Sequence, residues 1–272
     1  MRASRNRLVC RVCRKQSSVT AGTVFEKTRT PLRSWLAAVW YLTNQKHGVS
    51  ALGLQRVLGL GSYHTAWAML HRLRRAMVRT GRERLSGVVE VDETFIGGRD
   101  VGRGRAARIS KLQGIERDSK KSLVAVAVEL REPKGFGRIR LRRVADRSES
   151  SLLPFVCEAV APGSTVVTDG WWGYRSLPKH GYHRTIINLL ASEEPAHVRL
   201  AATHRIIALL KRWLLGTHQG SVQAHQLDYY LDEYTFRFNR RASRSRGLLF
   251  YRLLEQAVMT NPITETAIGT RC

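Results

Sequence analysis

The residues Val88-Val89-Glu90-Val91-Asp92 are three valines interrupted by one glutamate and closed by an aspartate. β-Branched residues at this density predict a strand over 88–92, and Gly87 supplies the break before it. Working outward, 123–130 is a nearly continuous apolar run, as expected for a central strand covered on both faces. Residues 137–144 alternate Ile139 and Leu141 with Arg138, Arg140 and Arg142, a third strand with one basic face. Helical spacing follows over 149–160. Residues 165–168 read as a fourth strand ending at Asp169, and 185–187 as a short fifth. Helices are expected over 204–215, 225–240 and 248–258. Three strands, a helix, a strand, a connector, a strand and then helix make a mixed α/β order.

Upstream the period is helical. Leu32, Trp35, Leu36, Val39, Trp40 and Leu42 follow Pro31, which suits a first helical turn. Ser50 is placed to cap a second helix with Leu52, Leu54, Val57 and Leu58. Gly59-Leu60-Gly61-Ser62 is a turn, and 63–78 is a third helix with Ala66, Trp67, Leu70, Leu73 and Met77 inward. Its other face is read as His71, Arg72, Arg74, Arg75 and Arg79. Short helices, a glycine turn and a basic last helix predict a helix-turn-helix module, with Arg72, Arg74 and Arg75 as DNA contacts. The bland alternative is a helical hairpin with a solvated basic face. The expected division is 1–30, 31–82, 85–245 and 246–272.

Composition narrows the partner. The 272 residues carry 46 Lys and Arg against 21 Asp and Glu, a formal net charge of +25. A charge of that size argues for a polyanion, which excludes nothing about fold but favours nucleic acid. Apolar residues make up 43%, too many for a disordered basic tail. Four cysteines are too few for a disulfide scaffold and suit a reducing compartment. No apolar run approaches the ~20 residues of a membrane span, and no secretory or transit leader is read at the start. The expectation is a soluble cytoplasmic protein that does not enter membranes.

Carboxylates are scarce, so their positions inform. Asp92 lies in an apolar strand, where a charge is costly unless paired or bound to metal. Asp169 ends another apolar strand just before Gly170. Two aspartates brought together at neighbouring strand ends repel each other and would hold a divalent cation, magnesium or manganese given oxygen ligands. Two such ions serve in-line phosphodiester displacement. The alternative is a turn residue at 169 and an Arg-paired charge at 92.

VEVDETFIGG, VVTDGWWGYRSL, LKRWLLGTHQG and YLDEYTFRFNRR together resemble bacterial insertion-sequence transposases of the DDE type. They are most like the group whose ISXO2-like transposase domain follows a zinc ribbon and a helix-turn-helix. GVSALGLQRVLGLGSYHTAWAMLHRLRRAM looks like that group's helical segment, and the similarity runs from about Cys10 to Arg241. The resemblance implies a ribonuclease H-like fold over 85–245. It also implies metal-dependent cutting and joining of double-stranded DNA at the inverted repeats that end an element, by a homo-oligomer assembled on that DNA. Asp92 matches the first catalytic aspartate, Asp169 the second, and Lys211 a lysine expected to contact DNA.

The third acidic position falls on His204, an imidazole where relatives carry glutamate. Relatives with asparagine would place it at Leu209. Glu193 and Glu194 lie in a loop, and Glu233 reads as a helix ion pair with Arg237. His204 is therefore the expected third metal ligand and a candidate catalytic residue.

Cys10 and Cys13 form one C-x-x-C, half of a four-ligand zinc site. The resemblance suggests an upstream pair that this sequence does not contain, so residues 1–30 read as a truncated ribbon. They are expected to hold zinc poorly, and residues 1–25 to be mobile or packed on the rest. Cys157 reads as core. Trp172 beside Asp169 is a candidate for stacking on a DNA base, with core covering as the alternative. The Gly/Arg loop 97–121 reads as a phosphate-contacting arm or a solvated loop, and His218 as near substrate or at a helix end. A catalytically impaired DNA-binding relic and a ribosomal or other RNA-binding protein are the competing functional readings.

Overall fold

The computed structural model describes residues 2–4, 7–79, 81–97, 121–131, 133, 135–187, 200–219, 222–264 and 267–268. Most of the loop 97–121, Glu193, Glu194 and Cys272 lie outside them. The chain forms two compact units, 83–241 and a second made of 1–82 with 242–272.

In the first unit the apolar runs become five strands: β4 (Val88–Ile96), β5 (Ser122–Leu130), β6 (Phe136–Val144), β7 (Thr165–Thr168) and β8 (His183–Ile186). Their order across the sheet is β6-β5-β4-β7-β8. β4, β5 and β6 pair antiparallel, whereas β7 is parallel to β4 and β8 parallel to β7. The parallel pairs need crossovers, and helix α4 (Glu149–Ala159) lies in the first of them. Two more helices, α5 (Ala201–His218) and α6 (Leu227–Asn239), follow. This mixed sheet flanked by helices is consistent with a ribonuclease H-like fold.

The pleat sorts the strand residues into two cores. Val89 and Val91 face Leu152, Phe155 and Val156 of α4, with Tyr174 and Leu177. Ile96, Val124, Val126, Ile139 and Leu141 face Ile206, Leu210 and Leu214 of α5 and Tyr230, Leu231 and Tyr234 of α6. β5 is covered on both sides, as its unbroken apolar run demands.

Among the boundaries that differ from the sequence reading, three bear on the carboxylates and the elements around them. β4 does not stop at Asp92: Glu93 to Ile96 go on pairing with β5, down to Ile96 opposite Ser122. The carboxylate of Glu93 is tolerated inside the sheet because Arg147 pairs with it. β8 begins two residues early, because His183 already aligns with Thr165. α5 begins at Ala201, three residues before His204, because a buried carboxylate from β4 receives its first free amides.

The second unit opens with β1 (Arg2–Ser4), β2 (Arg7–Val9) and β3 (Gln16–Ser18), an antiparallel three-stranded sheet. Helices α1 (Leu32–Asn44), α2 (Ala51–Leu58) and α3 (Tyr63–Ala76) follow at the expected places. The Ser50 hydroxyl accepts the Gly53 amide at the start of α2, and Gly59 ends that helix in the left-handed region at φ 61°. Helix α7 (Arg246–Met259) packs on α1 and α3, so the C-terminal segment belongs with the N-terminal one. Val24 and Phe25 are buried, the Val24 amide donates to the Ala257 carbonyl, and Phe25 meets Trp35 edge-on.

The basic face of α3 needs correction. Arg74 is 2% exposed and donates from Nη2 to the Val49 carbonyl at 3.3 Å. Ala66, Leu70 and Arg74 stand four apart, so Arg74 continues the buried stripe. His71 is buried as well, its ring 4.4 Å from that of Trp67. Arg72 and Arg75 remain partly exposed, and Arg79 is exposed.

Candidate active site

Asp92 stands on the α5 face of the central strand, one pleat after Glu90. Its last neighbour on the β7 side is gone, because the β4–β7 pairing ends at Glu90 opposite Val167. There β7 turns away through Asp169-Gly170, with Gly170 at φ +85°. Asp92 is thus in mid-strand at the point where its neighbour ends, rather than at a strand end itself.

The Asp92 side chain is 13% exposed. Its Oδ1 accepts the Glu93 amide at 2.7 Å, and its Oδ2 is 3.9 Å from Nε2 of His204. Burial pushes its pKa up to about 6, and the charges of Glu93 and Asp169 add to that against the pull of the Glu93 amide and Arg147. Asp169 is therefore close enough to repel Asp92. Its own Oδ1 accepts the Trp171 amide at 3.0 Å, which closes the turn.

His204 reaches this place because of Glu90. Glu90 is 6% exposed, and its Oε2 accepts the amides of Ala202 and Thr203, both at 3.0 Å, and the Thr203 hydroxyl at 3.4 Å. Burial raises the Glu90 pKa against those hydrogen bonds. A carboxylate at a helix start satisfies free amides and suits the helix dipole. The strand that carries Asp92 thereby anchors the first turn of the helix that carries His204. Lys211 is seven residues further along α5, on the same face and about 10.5 Å away at the usual rise, and is exposed.

On the other face of β4, the Glu93 side chain is 1% exposed. Arg147 donates to its Oε2 from Nε at 2.9 Å and from Nη2 at 2.8 Å, and the Tyr174 hydroxyl donates to its Oε1. Burial and the Glu93 charge together hold the Tyr174 pKa well above its ordinary value. Glu90, Glu93, Arg147 and Tyr174 were not singled out from the sequence. The signal was there: in a strand with period two, 89, 91 and 93 share the face of the α4 core, so a charge at 93 requires a partner.

Trp172 is 52% exposed and opens a short 3₁₀ turn, with its ring 5.7 Å from that of the half-buried Trp171. Glu233 pairs with Arg237 at 2.8 Å as read, but with its side chain fully buried. Cys157 packs on the α4 core. His218 belongs to an aromatic cluster, 5.0 Å from Trp213 and 4.5 Å from Tyr230, which makes it a packing residue of the α5–α6 pair. Cys10 and Cys13 lie in the β2–β3 hairpin, where the Cys10 amide donates to the Lys15 carbonyl. The amides of Cys13 and Val12 lower the Cys10 thiol pKa. They supply two thiols, half of a closed zinc set.

A buried carboxylate with a second, partly exposed one acting on it suits a hard divalent cation. Among the described residues, however, no three His, Cys, Asp or Glu side chains are grouped as a metal site. The expected trio of Asp92, Asp169 and His204 is not assembled as a set, although Asp92 lies 3.9 Å from His204 and feels the charge of Asp169. Among the described residues no helix is long and apolar enough to cross a membrane.

Comparison with known proteins supplies the family. The chain is 25% identical over 247 residues to an uncharacterized protein in transposable element ISH50 of Halobacterium salinarum, covering 89% of this chain and 80% of that protein. One chain of the simian T-cell lymphotropic virus intasome in complex with PP2A regulatory subunit B56 gamma matches it at 13% identity and a TM-score of 0.36. That match covers 78% of this chain and 74% of the other. Residues 84–239, which hold the whole five-stranded sheet and the carboxylates on it, match the model of the ISXO2-like transposase domain. The chain belongs to the ISXO2-like transposase domain family.

Proposed function

We propose that this transposase-family chain cuts and joins DNA strands at insertion-sequence ends, with Asp92 and Asp169 as the carboxylates that hold magnesium or manganese. The observation that carries the reading is Asp92: a desolvated carboxylate in mid-strand that feels the charge of Asp169, while Arg147, the arginine that acts on it, is hydrogen-bonded to Glu93. The bound cations would lower the pKa of the attacking water or 3′-hydroxyl and stabilise the leaving oxygen. Lys211, exposed on the same face of α5 as His204, would contact a DNA phosphate. Trp172 would stack on a base, and Arg72 and Arg75 of α3 would grip the inverted repeats as part of a helix-turn-helix, in a homo-oligomer on DNA. Zinc at Cys10 and Cys13 would need further ligands.

The test is nicking and strand transfer on labelled duplexes bearing the element ends, with magnesium or manganese. Asp92→Asn and Asp169→Asn should each abolish both reactions while DNA affinity stays equal or rises, since only negative charge is removed. Full activity in either variant would end the proposal. The second reading is a DNA-binding relic, favoured by His204 at the position where relatives carry glutamate and by the lack, among the described residues, of a three-ligand metal group. His204→Glu restores a hard oxygen ligand and should raise magnesium-dependent activity. A wild type inert with both metals, unimproved by that change, would leave the relic.

A further inference from the structure

The two aspartates come from elements that share no hydrogen bond beyond Glu90 and Val167. Some other contact has to fix the Asp169 turn against the strand that carries Asp92. The contacts of Glu93 provide one. Its carboxylate receives the forked donors of Arg147 from the loop between β6 and α4, and the Tyr174 hydroxyl from the 3₁₀ turn after Asp169. The Arg147 carbonyl accepts Nε1 of Trp171 at 2.7 Å, and its guanidinium lies 4.7 Å from the centre of that ring. The Trp171 amide in turn closes the Asp169 turn. From the other side, Arg184 of β8 donates to the Trp171 carbonyl at 3.0 Å.

The close approach also dictates Gly173. A Cβ there would stand 2.7 Å from the Arg147 carbonyl oxygen and 3.1 Å from both Leu152 and Trp171. Burial works to lower the Arg147 pKa, yet Glu93, with Asp169 and Asp92 behind it, leaves it raised. The arginine thus feels all three carboxylates, and the one it is hydrogen-bonded to among the described residues is Glu93.

We propose that Glu93 and Arg147 are a positioning pair, which ties the turn carrying Asp169 to the strand carrying Asp92 and so sets the spacing of the two carboxylates. The functional consequence rests on the metal-site reading above; the structural one does not. A pair that served only to neutralise a buried charge would be replaceable by two neutral groups. A positioning pair would not be.

Full-length Glu93→Gln, Arg147→Gln and the double variant separate these cases. Each single change leaves one charge without its partner and should lower the melting temperature, and the double should recover most of that loss. In the double, exchange of the Trp171 amide should accelerate by about tenfold or more through local opening, with the β5 amides unchanged. The Mn2+ dissociation constant, read by calorimetry, should rise by about 10–100-fold, and duplex affinity should stay at the wild-type value. Arg147→Lys keeps the charge without the fork, so it keeps the fold if the glutamines do not, and should show the same two losses in weaker form. A double variant with wild-type Trp171 protection and wild-type Mn2+ affinity overturns the proposal. If the wild type binds no Mn2+, the metal reading fails by itself. Trp171 protection then decides the pair, lost protection supporting it and retained protection sinking it.

Discussion

At Asp92 the fold holds a carboxylate where burial makes ionisation costly. Its pKa stands near 6 in the fold, against 3.8 for the unperturbed group. Such an acid binds its proton more tightly folded than unfolded, so stability falls as pH rises from about 4 to about 6 and stays reduced above that. The cost at neutral pH is on the order of 2–3 kcal/mol. Without divalent cations, Asp92→Asn should therefore raise the melting temperature at pH 7.5, and the gain should vanish near pH 4. Equal melting curves at pH 7.5, or a gain that does not shrink in acid, would show that the carboxylate is solvated. Candidate status for Asp92 and Asp169 was legible because a charge at the end of a valine run stands out. The mid-strand place of Asp92 was not, since it depends on where β7 stops.

Helix α5 is the element whose position decides what meets Asp92. It has no Ser, Thr, Asp or Asn at its N-cap: the residue there is Leu200. Its first amides depend instead on Glu90, more than a hundred residues away in the chain. No local capping rule finds such a start, which is why the sequence places the helix three residues too late. Glu90→Leu should expose the amides of Ala202 and Thr203 to exchange and cost about 1–2 kcal/mol in urea unfolding. Glu90→Gln, which keeps an acceptor oxygen, should cost less. If Leu and Gln behave alike, the carboxylate is not anchoring the helix. By contrast β5 was legible almost to the residue, because a strand covered on both faces writes its burial into every position.

For the whole molecule the dominant quantity is the net charge of +25. If about 6–10 phosphates are neutralised, affinity for duplex DNA should fall by about a thousandfold or more between ~50 and ~200 mM salt. A log–log slope near zero would refute binding through phosphates. Within α3 the structure divides the arginines. Arg72→Ala with Arg75→Ala should flatten the slope with little effect on melting. Arg74→Ala should lower the melting temperature, because the buried guanidinium bonds to the Val49 carbonyl. A flattened slope with unchanged melting in the Arg74 variant would return that residue to the surface.

The sequence alone determined the element types from Leu32 onward, the mixed α/β order and the three N-terminal helices, and it singled out Asp92 and Asp169 as candidates. Each of these is written locally, in periodicity, in turn residues or in the rarity of a charge. The tertiary structure decided which charges face each other. It buried Arg74, joined the C-terminal helix to α1 and α3, ran β4 past Asp92, and gave Glu90 and Glu93 opposite faces and separate partners. The physical reason is that a buried charge is tolerated only through its partners. Those partners come from distant segments, which no window of neighbouring residues contains.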